Sequence, residues 1–254
     1  MVDPIKTECF DLDRLERQSG DIATVPLLPS EMSGLTMRIV LLKPGVRYEA
    51  VPSQCSERIC FFIRGEGTVA VGSQRFDISE MAIFCPAGRT YSVRCSDMSS
   101  IFFLEIQIPL FPEDQKQIEG YGERASWFSL YSQCQTYRDP YKSPDTISRT
   151  LVPPHIVPRF CMGSVQARGP DEVRAHCHPM LDQMFVGLPG NACTVFADGR
   201  EAQLGANTVL HVLLGSEHGV QVEPEKQLHY LWIDLFHDGS DMSYIDDSHT
   251  PGEF

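Results

Sequence analysis

The chain has 254 residues, 42% of them hydrophobic and 22% charged, which is enough for one large or two small buried cores. A formal net charge of −13, with no cluster of Lys or Arg, argues against nucleic acid or an anionic membrane as partner, since both demand a basic surface. Met1-Val-Asp-Pro-Ile-Lys lacks the pattern of a signal peptide, no apolar run approaches membrane-spanning length, and nine cysteines are scattered without a CxxC pair. A reduced, cytoplasmic protein that meets small molecules or other subunits is therefore expected.

Residues 1–32 mix charged and apolar positions, with a short helix expected around Leu12-Leu15, and read as an arm or edge strand. From Met37 onward short runs rich in β-branched and aromatic residues alternate with Gly, Pro and Ser: Met37-Arg-Ile-Val-Leu-Leu, Ile59-Cys-Phe-Phe-Ile, Thr68-Val-Ala-Val, Met81-Ala-Ile-Phe-Cys and Ile101-Phe-Phe-Leu-Glu-Ile. Such a series predicts a β-sandwich or barrel over 33–110. Residues 111–154 are proline-containing and polar, with a helix expected near Glu113-Ile118. A connector of that length is expected to pack on a domain or to contribute to a site. β texture returns over 155–236, in Gln183-Met-Phe-Val, Thr208-Val-Leu-His-Val-Leu-Leu and Leu228-His-Tyr-Leu-Trp-Ile-Asp-Leu-Phe, before an acidic tail, 237–254, expected to be mobile.

The two β regions repeat one another. Arg58-Ile-Cys-Phe-Phe-Ile-Arg-Gly65 aligns with Gln183-Met-Phe-Val-Gly-Leu-Pro-Gly190, and Gly88-Arg-Thr-Tyr91 with Gly215-Ser-Glu-His218, both at an offset of about half the chain. A duplicated β domain follows.

The second copy carries the chemistry. In Arg174-Ala-His-Cys-His178-Pro-Met-Leu-Asp182-Gln183, two histidines one residue apart share a strand face, because side chains alternate with period two. A carboxylate or amide from the next strand and a third imidazole, His218, would complete a four-ligand site for a divalent metal. Regular alternation would put Arg174 on the same face, where a guanidinium can bind a substrate carboxylate or phosphate. His211 and His229 lie on strands and are candidate acids or bases; Tyr230, Trp232 and Asp234 share the face opposite His229, and either face could line the site. His155, His237 and His249 read as ordinary surface or core histidines.

HxH, a Glu or Gln three to four residues on, a glycine about seven further, then Gly-x-x-His resembles the two motifs of the cupin superfamily, and the whole chain resembles a two-domain member, a bicupin. The resemblance implies an all-β fold of two double-stranded β-helix (jelly-roll) barrels with a long, partly helical connector. It implies His176, His178 and His218 as metal ligands. The fourth is Gln183, favoured by the internal repeat and by the HxHx4Q spacing of the small cupin that opens unsaturated uronates, or else Asp182, which would otherwise stand beside the site as an acid or base. The first copy departs at every ligand position, with Pro52 and Gln54 for the histidines, Arg58 beside Glu57 at the acidic position, and Tyr91 for the last histidine. It is expected to bind no metal, although Arg58 and Tyr91 could make a vestigial anion pocket.

What the resemblance implies about function is one divalent transition metal (Fe, Mn, Ni, Co or Zn) in the carboxy-terminal barrel. The metal would serve isomerase, lyase or hydrolase chemistry on a small carboxylate-, keto- or hydroxy-bearing metabolite such as a sugar acid or ureido acid, with Asp182, His211 or His229 as proton carrier and Arg174 as substrate donor. The layout is similar to that of the two-domain cupins that remove ammonia from ureidoglycine. An Fe(II) dioxygenase and a non-catalytic ligand-binding bicupin are the alternatives, and pairing through edge strands as a homodimer is the assembly the resemblance suggests.

Overall fold

The computed structural model describes residues 3–51, 53, 55–120, 124–242 and 250–251. Two compact units form, one from Asp11–Cys134 with Ile156–Pro158, the other from Met1–Phe10 with Gln135–His155 and Arg159–Phe254.

In the first unit a six-stranded antiparallel sheet runs, edge to edge, through Trp127–Leu130, Ala82–Cys85, Ser56–Arg64, Ile101–Pro109, Thr36–Leu42 and Ile22–Leu27. A four-stranded sheet contains Arg47–Ala50, Tyr91–Cys95, Gly67–Val71 and Gln74–Ile78. Alternation sends Val40, Leu42, Cys60, Phe62, Phe84 and Phe103 from the larger sheet against Val69, Val71, Tyr91 and Val93 from the smaller. Fully burying one such Phe contributes about 1.5–3 kcal/mol.

The second unit repeats the plan on a larger scale. Its eight-stranded sheet has the order Ile5–Cys9, Thr208–Val212, Leu181–Gly187, Gln227–Phe236, Phe160–Arg168, Ile147–Val157, Thr136–Arg138 and Thr250–Pro251. Its four-stranded sheet has the order Asp171–His176, His218–Val222, Ala192–Ala197 and Arg200–Gly205. Leu181, Phe185, Leu210, Tyr230 and Trp232 meet Val173, Val195, Ala197 and Val220 between them.

The repeat has a backbone cause. Gly65 and Gly190 sit at φ +100 and +84, a backbone region that strains any side chain, and at Gly65 a Cβ would also run into the Ser100 backbone. Gly88 and Gly215, the second aligned pair, likewise share a positive φ.

The arm divides. Ile5–Cys9 adds an edge strand to the carboxy-terminal sheet, antiparallel to Thr208–Val212, while Ile22–Leu27 edges the amino-terminal one. Between them stands the helix Leu12–Glu16, capped by the Asp11 carboxylate accepting from Arg14 N–H at 2.9 Å. The connector divides too, with helix Pro112–Gly120 and strand Trp127–Leu130 in the first unit and Thr136–Arg138 in the second. In the tail, a turn of 3-10 helix at Gly239–Met242 seats Met242 in the core, a side chain that composition alone had left mobile. None of the nine cysteines forms a disulfide, and among the described residues no helix is long and apolar enough to cross a membrane.

Candidate metal centre

The site grows out of an irregularity in the strand Asp171–His176. Val173 pairs with Val220 and points into the core, so strict alternation would turn His176 outward. The register instead shifts between Val173 and His176, a bulge that brings His176 opposite His218 on the interior face. The bulge is held from outside: Arg174 N–H donates to Tyr141 O at 2.9 Å, and Lys142 bridges to Val173.

The same bulge overturns the placement expected for Arg174. Its guanidinium turns away and donates to Pro140 O, and what Arg174 contributes to the centre is its carbonyl, which holds His176 Nδ1 at 2.7 Å. His218 is held likewise, Nδ1 to Ser216 O at 2.9 Å. A carbonyl only accepts, so in both rings Nδ1 carries the hydrogen and Nε2 keeps its lone pair. His176, His178 and His218 bring their ligating atoms within 4.8 Å of one another. Burial pushes His218 down to about 4, with the neighbouring His176 adding to it, and burial also lowers His176, so these rings are neutral at pH 7.

On the strand Leu181–Gly187, Leu181 and Phe185 face the core, and Gln183 shares their face. Its register partner across the sheet is Asp234, whose Oδ1 accepts from Gln183 Nε2 at 2.7 Å. That bond fixes the amide, leaving Gln183 Oε1 buried and without a hydrogen-bond partner, as is His218 Nε2. Two buried acceptors with no donor, in one cavity with three imidazoles, have a cation as their complement, and this donor set fits a divalent transition metal. Burial pushes the Asp234 carboxyl up to about 7, opposed by the Gln183 bond and by the charge of Lys142.

The cavity measures about 50 Å³. The barrel supplies Val173, Phe185, Val220, Tyr230, Trp232 and Asp234 to its walls, and the connector supplies Tyr137, Asp139, Tyr141 and Lys142. Tyr141 stacks on His176, centroids 4.7 Å apart and planes 20° from parallel. Lys142 Nζ lies 2.8 Å from the Asp139 carboxylate and donates to Tyr137 OH at 3.3 Å. From the sequence a connector of this length is expected to pack on a domain or to contribute to a site, and none of these four residues is singled out there.

The candidate proton carriers lie elsewhere. Asp182 alternates with Gln183 and meets His237 Nε2 at 2.9 Å and His211 Nε2 at 3.7 Å on the opposite face. His211 alternates with the core residues Leu210 and Val212, and His229 with Leu228 and Tyr230; His229 Nδ1 bonds Pro189 O at 3.0 Å. None of the three lines the cavity, and it is the Tyr230, Trp232 and Asp234 face that does.

Known structures share this architecture. A cupin 2 conserved barrel domain protein from Leptotrichia buccalis superposes with a TM-score of 0.62 at 15% identity, covering 92% of this chain and 98% of its own. The oxalate decarboxylase formate complex of Lactobacillus farciminis gives 0.67 at 13%, covering 93% and 87%. The fold is that of the cupins, twice over. A glyoxylate-induced protein from Pseudomonas aeruginosa, whose assignment is provisional, gives 0.71 at 13% identity, covering 85% of this chain and 81% of that one. No protein-family model matches the sequence, and no curated protein matches it either.

The amino-terminal cupin barrel fills the equivalent place differently. Pro52 and Gln54 lie outside the described residues, as does His249. Glu105, buried, accepts from Arg38 Nε at 2.7 Å, Tyr48 OH at 2.7 Å and Tyr91 OH at 3.2 Å, with Arg58 Nη1 3.9 Å away. The expected anion pocket of Arg58 and Tyr91 thus already holds a carboxylate of the chain's own.

Proposed function

We propose that the carboxy-terminal barrel is a metal-dependent catalytic centre for a small metabolite bearing a carboxylate with a keto or hydroxy group. The observation that carries this reading is the Gln183 amide, locked by Asp234 so that its buried oxygen joins the ring nitrogens of His176, His178 and His218. His176, His178, His218 and Gln183 would hold one divalent transition metal. A divalent ion among four neutral ligands keeps its whole charge and can polarise a carbonyl or acidify a bound hydroxyl.

The chain's own residues do the rest. Tyr141 against His176 and Phe185 near His218 fix the rings, and Val173, Val220, Tyr230 and Trp232 keep bulk water from the cavity. Asp234 is the proton carrier in this reading. Its Oδ1 is committed to Gln183, and a carboxyl pushed up to about 7 can hold or release a proton at Oδ2 near neutral pH. This role replaces those expected of Asp182, His211 and His229, which face away. A cavity of about 50 Å³ has room for a few waters, so a short acid suits it.

Metal analysis of the purified protein tests the reading. About one transition-metal ion per chain is expected, falling to near zero in His176→Ala and by about 10–100-fold in affinity in Asp234→Asn, through the loosened amide. Unchanged metal content in His176→Ala would overturn it. Iron-dependent oxygen uptake with the bound acid would move the chemistry from isomerase, lyase or hydrolase to dioxygenase while leaving the centre in place.

A further inference from the structure

The connector brings a fixed cation to the cavity that no barrel strand supplies. Lys142 is the one Lys or Arg among the cavity-lining residues, and its side chain is 8% exposed. An ammonium has three N–H donors. Asp139, 2.8 Å away and itself 12% exposed, takes one, and Tyr137 OH takes the second. The main chain of the segment is tied to the barrel through the Lys142–Val173 bridge and the Arg174-to-Tyr141 hydrogen bond, so Lys142 is set on the same bulge that aims His176.

Burying Lys142 beside a metal centre is electrostatically costly unless an anion is drawn in. Asp139 balances Lys142, so a divalent ion among neutral ligands, offset only in part by the Asp234 carboxyl on the same wall, would leave positive charge for a substrate to meet. The part of the cavity next to the imidazoles is small, about 50 Å³, which favours a short acid there. Resting on the metal-centre reading above, we propose that Lys142 is the specificity-determining residue of the site. It uses its third N–H to bind the carboxylate of a 2-oxo or 2-hydroxy acid of two or three carbons, and Asp139 sets how strongly it does so. The residues that choose the substrate then lie in the segment Tyr137–Lys142, outside the strands that carry the metal ligands.

The test is calorimetric titration of the metal-loaded protein with pyruvate and with its neutral amide, pyruvamide, with metal content measured separately. The wild type is expected to prefer pyruvate by roughly tenfold or more, the size of a hydrogen bond between charged groups. Lys142→Met is expected to cut that preference about five- to tenfold with metal content unchanged, leaving only what the metal's own charge supplies. Asp139→Asn, which frees a donor, is expected to tighten pyruvate binding about three- to tenfold, a gain that a purely structural role does not give. The double variant carrying both substitutions buries no lone charge, which keeps the comparison available if Lys142→Met folds poorly; it too should show the reduced preference. A wild-type preference below about twofold, or a preference undiminished in Lys142→Met and in the double variant, overturns the inference. Absence of metal from the wild type overturns the metal-centre reading instead.

Discussion

In the amino-terminal barrel the interior positions Arg58 and Tyr91 face a carboxylate built into the chain, Glu105, whereas in the carboxy-terminal barrel the matching positions, Gln183 and His218, present buried acceptors to a cavity. The match is structural as well as sequential. Arg58 and Gln183 are each the third residue of their strand, and Tyr91 and His218 each the first. In one barrel the interior positions meet a carboxylate of the chain's own; in the other they are buried acceptors that line a cavity. The same scaffold thus tolerates either polarity in its interior, so the fold itself does not require imidazoles there.

The largest effect that sharpens this contrast is on pH dependence. The two tryptophans fall one to each unit, Trp127 and Trp232, so a variant keeping only one reports its own barrel. In the metal-free protein, His218 is pushed down to about 4 in the folded state against 6.5 for an ordinary histidine. The unfolded chain therefore binds the proton first as pH falls. Stability from this group is complete above about 6.5 and is lost between there and about 4, on the order of 3 kcal/mol. Urea titrations followed through Trp232 should show that loss, and His218→Phe should flatten it. The amino-terminal barrel, with Tyr91 at this position, should lack this His218-type limb when read through Trp127.

Removing Glu105 probes the amino-terminal barrel. Glu105→Ala leaves two tyrosine hydroxyls and two guanidinium groups without their common acceptor. Breaking a buried pair costs about 3–5 kcal/mol, and water reaches Arg38, whose side chain is 39% exposed, so about 2–3 kcal/mol is expected in the Trp127 transition. Metal content should not change. A loss of metal in this variant would mean that the interiors are not independent, and the contrast between them would fail.

How much of this could be read in the sequence differs from residue to residue. The glycine pairs announce the duplication because their turns need positive φ, and the histidine spacing announces the cluster. The phase of Arg174 could not be read, since the bulge beside it is set by hydrogen bonds to Tyr141, some thirty residues earlier in the chain. The preference for Gln183 over Asp182 had to rest on the internal repeat and the motif spacing: both faces of the Leu181–Gly187 strand are buried, Met184 and Val186 as much as Leu181 and Phe185, so apolar alternation marks neither as inward. The joining of Ile5–Cys9 to Thr208–Val212 spans most of the chain and leaves no local signal.

Outward from the strand the two barrels agree, and this sets the smallest expected effect. Glu57, beside Arg58, is bound by Arg124 Nη1 at 2.5 Å; Asp182, beside Gln183, is held by His237 and His211. Each barrel therefore backs its interior position with an acid tied to a base on the other face. Asp182 sits 20% exposed, and its His237 partner is 53% exposed, so solvent screens the pair and about 1 kcal/mol or less is at stake. Bonds to both histidines hold the Asp182 carboxyl below the usual range, so that contribution is present above about pH 4 and lost as pH falls further. Asp182→Asn should leave metal affinity within about twofold of wild type, since strand alternation separates it from the ligand face. A metal loss comparable to that of His176→Ala would mean that Asp182, not Gln183, completes the centre, and the equivalence of the two outer faces would fall with it.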